Sequence, residues 1–170
     1  MEFGVSIDGF EVEGVRLAEG RLIPAQAVVV GVGVVPNTEL AEGAGLAVDN
    51  GILADEHLRT SHPDIFAAGD VVNATHPLLG RRIRVEHWAN ALNQPAVVAA
   101  GMLDQDATYD RLPYFFTDQY DLGMEYVGHA DATSEVIVRG DESAREFVAF
   151  WLSEGRVQAG MNVNVWDVPI

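Results

Sequence analysis

The 170-residue chain has no cysteine and no lysine. Without cysteine it can hold no disulfide framework, no thiolate metal site and no iron–sulfur cluster of its own, so redox chemistry here requires a cofactor. All ten basic residues are arginine, and they face 26 acids for a net charge of −16. A field of that sign repels polyanions and argues against a nucleic-acid partner. Long hydrophobic runs are also missing. The longest, Ala27 to Pro36, is about half the roughly 20 residues of a membrane-spanning helix, and the acidic Met1-Glu2 start has no signal-peptide character. The expectation is a cytoplasmic protein that does not enter a membrane. The hydrophobic share of 48% with 17 glycines suits a chain that folds around a core.

Periodicity predicts a mixed α/β chain of the α+β class. Gly4 to Ile7 and Glu11 to Leu17 read as strands joined by a tight turn at Asp8-Gly9. Ala27 to Val32 is a β-branched run without alternation, as expected of a central strand covered on both faces. Gly31 and Gly33 at its end suit either a ligand loop or a tight turn. A short helix is predicted over Thr38 to Ala44, a hairpin at Asn50-Gly51, a buried strand over Asp64 to Asp70 and a long helix from Glu86 to Leu103 that Pro95 should kink or split. Asp104 to Asp110 reads as a linker. Beyond it, Tyr114–Thr117, Leu122–Gly128, Glu135–Arg139, Glu146–Leu152 and Val157–Val165 predict a mainly antiparallel sheet. The aromatic residues Tyr114, Phe115, Phe116, Tyr120 and Tyr126 are expected in the core of that sheet.

The chemistry concentrates in a few segments. Thr60-Ser61-His62-Pro63-Asp64-Ile65-Phe66-Ala67-Ala68-Gly69-Asp70 ends a predicted strand in glycine and a carboxylate, which suits hydrogen bonding to polyol hydroxyls in an α/β crevice. The helix beginning near His87 offers free amides and a positive dipole end. Arg81, Arg82 and Arg84 form the one basic cluster, read either as a solvated turn with local ion pairs or as a docking spot for an acidic partner or a phosphate. His57, His62, His76 and His87 show no helical i, i+4 pair, so no metal site is expected.

The segment from Thr60 to Asp70 resembles the second flavin motif, T-x-x-P-x-[IV]-[FY]-A-x-G-D, of FAD-dependent pyridine nucleotide oxidoreductases. Val28 to Asn37 is similar to the segment closing that family's nucleotide domain, and Asp55 to Thr60 precedes the flavin motif as in its members. Arg84 to Ala91 and Pro113 to Tyr120 are similar to segments of the branch containing ferredoxin reductases, rubredoxin reductases and apoptosis-inducing-factor relatives. Neither His62-Pro63 nor His76-Pro77 continues into the His-Pro-Thr-x-x-Glu motif of the glutathione-reductase branch. The resemblance implies an oxidoreductase that moves electrons from NAD(P)H through FAD to a ferredoxin-type iron–sulfur protein. It implies FAD contacts from Gly69 and Asp70, a flavin edge at Glu86, His87 and Trp88, and a nicotinamide dinucleotide facing Gly31 and Gly33. A homodimer is expected on a separate ground, since Phe115, Phe116, Phe147, Phe150, Trp151 and Trp166 present more aromatic surface than a five-stranded sheet of this size covers alone. No residue is assigned a catalytic role. Residues 1–36 are expected to end the NAD(P)-binding domain, 37–105 to complete the FAD domain, and 106–170 to form the C-terminal reductase domain. The chain contains no G-x-G-x-x-G loop, although the family needs two, so it is expected to be a C-terminal fragment that is inactive alone and holds no stoichiometric FAD. A non-catalytic folding or dimerisation module is the alternative.

Overall fold

A computed structural model describes residues 3–166, which divide after Val35 into two compact units. The first is a small antiparallel meander of β1 (Ile7–Glu11), β2 (Gly14–Leu17) and β3 (Leu22–Pro24). The expected turn at Asp8-Gly9 is not there. Those residues lie inside β1, where the register slips between Ile7 and Gly9, and the chain reverses at Val12-Glu13. Gly14 enables this turn, because a Cβ at its φ of +151° would meet the Ile23 carbonyl. Ala27 to Val32 does not form the expected buried strand. The ladder stops at Pro24, and Val29 and Val32 are 98% and 83% exposed. A buried strand needs neighbouring strands on its edges for backbone hydrogen bonds and packed elements over its faces, and among the described residues of this unit no strand pairs with this run.

The second unit begins with α1 (Glu39–Gly43), preceded by Thr38, and continues into β4 (Ile52–Ala54), β5 (Val72–His76) and β6 (Arg81–Arg84). β5 runs parallel to β4 and antiparallel to β6. The expected hairpin at Asn50-Gly51 shrinks to one bridge between Val48 and Ile52, with both turn residues at positive φ. Asp64 to Asp70 is likewise not a strand. Its backbone is tied to the preceding loop by a bridge between Phe66 and Arg59 and by Ala67 N–H donating to the Leu58 carbonyl. Leu58, fully buried, centres the core that Ala54, Ala67, Val72, Ala74 and Tyr109 complete.

Besides β3, two strands escaped the sequence reading. β5 alternates buried and half-buried residues, but its sequence Val-Asn-Ala-Thr-His places small and polar side chains on both faces. β6 was hidden by its arginines, which belong to a strand and not to a solvated turn. Arg82 donates to the carbonyls of Ala54 and Asn73, and Arg81 pairs with Asp131 at 2.8 Å. Asp104 to Asp110 is no free linker, because Tyr109 packs in the core and its hydroxyl donates to Asn90 Oδ1 at 2.9 Å.

α2 (Trp88–Met102) is the long helix, continuous through Pro95. The five-stranded sheet follows: β7 (Tyr114–Gln119), β8 (Leu122–Gly128), β9 (Glu135–Asp141), β10 (Glu146–Ser153) and β11 (Arg156–Val163), in the order β7-β8-β11-β10-β9, all antiparallel. The β10–β11 turn has Glu154 and Gly155 both at positive φ, matching the twist of a two-residue hairpin. Within the sheet Phe115 stacks on Tyr126 at 4.9 Å, and Tyr126 meets Trp151 edge-on at 5.3 Å. Tyr120 is a fully exposed turn residue and Phe116 is half exposed, so neither is core. Trp166 covers Gly123, where a Cβ would lie 2.5 Å from its ring. Asp167 to Ile170 lie outside the described residues.

Candidate functional site

Four segments of the second unit converge at the amino end of α2. His87 caps the helix in an extended conformation, and among the described residues no side chain bonds the first amides. An uncapped helix start leaves N–H groups and a positive dipole end free for an electron-rich oxygen. Glu86, His87, Trp88 and Ala89 line a recess of about 300 Å³ whose other wall is Tyr114, Phe115 and Phe116 of β7. The His87 ring sits 4.8 Å from that of Phe115. His87 Nδ1 is buried without a hydrogen-bond partner among the described residues, an unmet polar demand at the lip of the recess.

The Gly69-Asp70 turn is held beside this helix. Gln94, itself buried two turns along α2, accepts a 2.6 Å hydrogen bond from the Gly69 N–H through its Oε1. Gly69 takes a φ of +82°, which a residue with a Cβ rarely adopts. Arg84 donates to the Asp70 carbonyl at 3.1 Å and pairs with Glu86 at 2.5 Å. The Asp70 main chain is thus pinned while its carboxylate stays exposed and accepts no hydrogen bond among the described residues. Gly69, Asp70, Glu86, His87 and Trp88 are brought to one neighbourhood. Gly31 and Gly33 belong to the first unit. Sequence reasoning missed Gln94 and Arg84 as the residues that set this turn. The available signal was the Asn90/Gln94 pair, two amides four residues apart on an otherwise apolar helix face.

Burial pushes His87 below the ordinary imidazole value, against the opposing pull of the Asp70 carboxylate, with His129 adding to the lowering and Glu86 opposing it. His129 is also lowered, by burial first and then by Arg81. A base whose folded pKa is depressed binds fewer protons folded than unfolded, so stability is fully present above the unfolded value and falls as pH drops below it. Denaturant midpoints are therefore expected to decline from about pH 7 down through about pH 6, before carboxylates titrate. His87→Phe should flatten that decline, and an unchanged slope would show that His87 does not drive it. On the wall of the recess, a 2.7 Å hydrogen bond to Glu125 raises the Tyr114 phenol and lowers the carboxylate, so Tyr114 stays a neutral donor.

Among the described residues no cluster of three or more histidine, aspartate or glutamate side chains could hold a metal, and no helix is long and apolar enough to cross a membrane. Residues 2–95 match the pyridine nucleotide-disulphide oxidoreductase family and residues 114–167 the reductase C-terminal family. The chain belongs to the pyridine nucleotide-disulphide oxidoreductases and carries the C-terminal domain of reductases of that kind. It is 47% identical over 144 residues to the ferredoxin–NAD(+) reductase component of the anthranilate 1,2-dioxygenase system of Burkholderia cepacia, covering 84% of this chain and 36% of that protein. It is 39% identical to putidaredoxin reductase of Pseudomonas putida, covering 95% of this chain and 38% of the other. A solved ferredoxin reductase from Rhodopseudomonas palustris superposes with a TM-score of 0.91 at 36% identity, over 97% of this chain and 42% of that one. The reductase in a covalent putidaredoxin reductase–putidaredoxin complex superposes with a TM-score of 0.88 at 38% identity, over 95% of this chain and 40% of that one. The chain thus spans between a third and two fifths of the length of these two curated relatives.

Proposed function

We propose that these residues are the C-terminal part of a flavoprotein that moves electrons from NAD(P)H through FAD to a ferredoxin-type iron–sulfur protein in the cytoplasm. In this reading residues 1–36 end the NAD(P)-binding domain with Gly31 and Gly33 toward the dinucleotide. Residues 37–105 complete the FAD domain, and 106–170 form the reductase domain. The observation that carries it is the uncapped start of α2, with the unpartnered His87 Nδ1, next to the free Asp70 carboxylate. These are the donors and acceptors that a cofactor with polyol hydroxyls and a carbonyl-rich ring requires.

A bound flavin supplies two-electron acceptance from a nicotinamide and one-electron delivery onward. The chain's own residues hold and shield it. Asp70 accepts hydrogen bonds from hydroxyl groups, and Gln94 and Arg84 keep it aimed by fixing the main chain on either side. The first amides of α2 stabilise negative charge on a facing oxygen. His87, held neutral by burial, offers a ring nitrogen at the same edge. Tyr114, Phe115 and Phe116 exclude water from the recess. Trp88, 68% exposed at its mouth, is where a protein electron acceptor would approach.

A chimera in which these 170 residues replace the matching part of putidaredoxin reductase tests this reading. It is expected to retain FAD and reduce an iron–sulfur partner with NADH or NADPH. Trp88→Ala in that chimera should slow reduction of the iron–sulfur protein more than reduction of a small dye. Equal slowing of both would make Trp88 purely structural, and a colourless chimera that folds would remove the flavin assignment. The second reading, a folding or dimerisation module without turnover, is favoured by one feature, the open edge of the five-stranded sheet.

A further inference from the structure

That edge is β9. On one side it pairs with β10, and among the described residues nothing pairs with the other. All seven of its residues are exposed, including Val136 at 49%, Ile137 at 45% and Val138 at 38%. Soluble proteins blunt such edges with proline, charged side chains, bulges or brevity, because unpaired N–H and C=O groups template another strand. β9 has no proline over its seven residues, its centre Val136-Ile137-Val138 is uncharged, and its charges sit at Glu135, Arg139 and Asp141. The opposite edge, β7, is occupied differently, since it walls the recess beside α2 and its Phe115 packs on His87.

The sequence of β9 is complementary to itself. We propose that β9 is a self-association edge, pairing antiparallel with β9 of a second copy about a two-fold axis at Ile137, which joins two five-stranded sheets into one. The proposal rests on the homodimer expected for this domain and names its surface. In this register Glu135 lies opposite Arg139 of the second copy, twice by symmetry, Val136 lies opposite Val138, and Ile137 opposes itself. An axis at Val138 would set Glu135 against Asp141, and one at Val136 would leave Glu135 facing Ile137. An axis at Gly140 would match Arg139 with Asp141 but leave Val136 to Val138 without strand partners. Two chains at −16 each repel. The contact must therefore be locally neutral, and from Ser134 to Gly140 the one acid and the one arginine cancel. Ordinary cross-strand pairs of opposite charge and of β-branched residues are favourable, and like charges opposite each other are not. A single strand pair buries less than the roughly 1,200 to 2,000 Å² of a stable interface, so the dimer is weak and reversible.

Sedimentation equilibrium of the 170-residue chain from low to high micromolar concentration is expected to show a monomer–dimer equilibrium. Glu135→Arg and Arg139→Glu should each weaken it by about tenfold, since each places like charges opposite one another twice. The double variant should return to within about threefold of the original, because the pairs are rebuilt with reversed sign. Circular dichroism and melting confirm that each variant folds. A chain monomeric throughout overturns both the homodimer and this surface. A dimer indifferent to both single charge reversals overturns this surface alone and leaves self-association elsewhere, and losses that add in the double variant overturn the register. With no native cysteine to interfere, Ile137→Cys should form an intermolecular disulfide under a mild disulfide oxidant, while Glu135→Cys, displaced from the axis, should cross-link far more slowly. Equal rates for the two would also overturn the register.

Discussion

Leu58→Ala is expected to destabilise the second unit by about 2 to 5 kcal/mol, the range for truncating a fully buried leucine. The mechanism is more than a lost transfer term. Leu58 has no exposure, contacts the core of Ala54, Ala67, Val72, Ala74 and Tyr109, and adopts a φ of 63° that only its surroundings can hold. Its carbonyl receives the Ala67 N–H, so it also ties down the segment leading to Gly69 and Asp70. Thermal unfolding of the 170-residue chain should shift downward by about 4 °C or more, on the basis of roughly 2 to 4 °C per kcal/mol for a chain of this size. Leu40→Ala, at a position 92% exposed, is the control and should shift little. Equal shifts would mean that the core does not centre on Leu58.

Asp70→Ala should leave the fold intact and weaken flavin binding by about 10- to 100-fold in the chimera with putidaredoxin reductase. A hydrogen bond to a charged group contributes about 1.5 to 3 kcal/mol, and 1.4 kcal/mol is a factor of ten. The two halves of this expectation come from one geometric fact. Asp70 is exposed and its carboxylate makes no hydrogen bond among the described residues, while its carbonyl is bound by Arg84, so truncation deletes the proposed ligand contact without deleting a structural one. Fluorimetric flavin titration measures the affinity and melting of the apoprotein measures the fold. Unchanged affinity would remove Asp70 from the site, and a large loss of melting temperature would recast it as a packing residue.

The elements most legible in the sequence were those whose signals are local. β8 runs from Leu122 to Gly128 as its composition between turn residues predicts, and the other four strands of its sheet begin and end within two residues of expectation. The β10–β11 turn carries Gly155 at positive φ, whereas Tyr120 and Arg145 take positive φ in the neighbouring hairpins without being glycine, and β-branched or aromatic side chains fill the ladders. α2 was equally clear, and Pro95 did not divide it. Apart from the turn displaced from Asp8-Gly9 and the hairpin reduced to one bridge at Asn50-Gly51, the errors fell where pairing is not local. Ala27 to Val32 and Asp64 to Asp70 have strand-like composition, yet a strand exists only when a neighbour satisfies its backbone groups, and composition does not name the neighbour. Conversely, β6 is a strand because β5 lies beside it, despite three arginines in four residues.

The same division runs through the candidate site. Sequence alone determined the chemical inventory: a chain without thiols that must rely on a cofactor for redox work, a strongly acidic surface, a Gly-Asp pair after a hydrophobic segment, and a helix start flanked by Glu86 and His87. These follow from residue type and short spacing. Only the tertiary structure decided that Gln94 and Arg84 aim the Gly69-Asp70 turn, that β7 walls the recess opposite His87, and that partial burial lowers the His87 imidazole. Asp70 and Arg84 lie 14 positions apart, Gly69 and Gln94 25, and His87 and Phe115 28, and burial and hydrogen-bond geometry are properties of their contact, not of either residue.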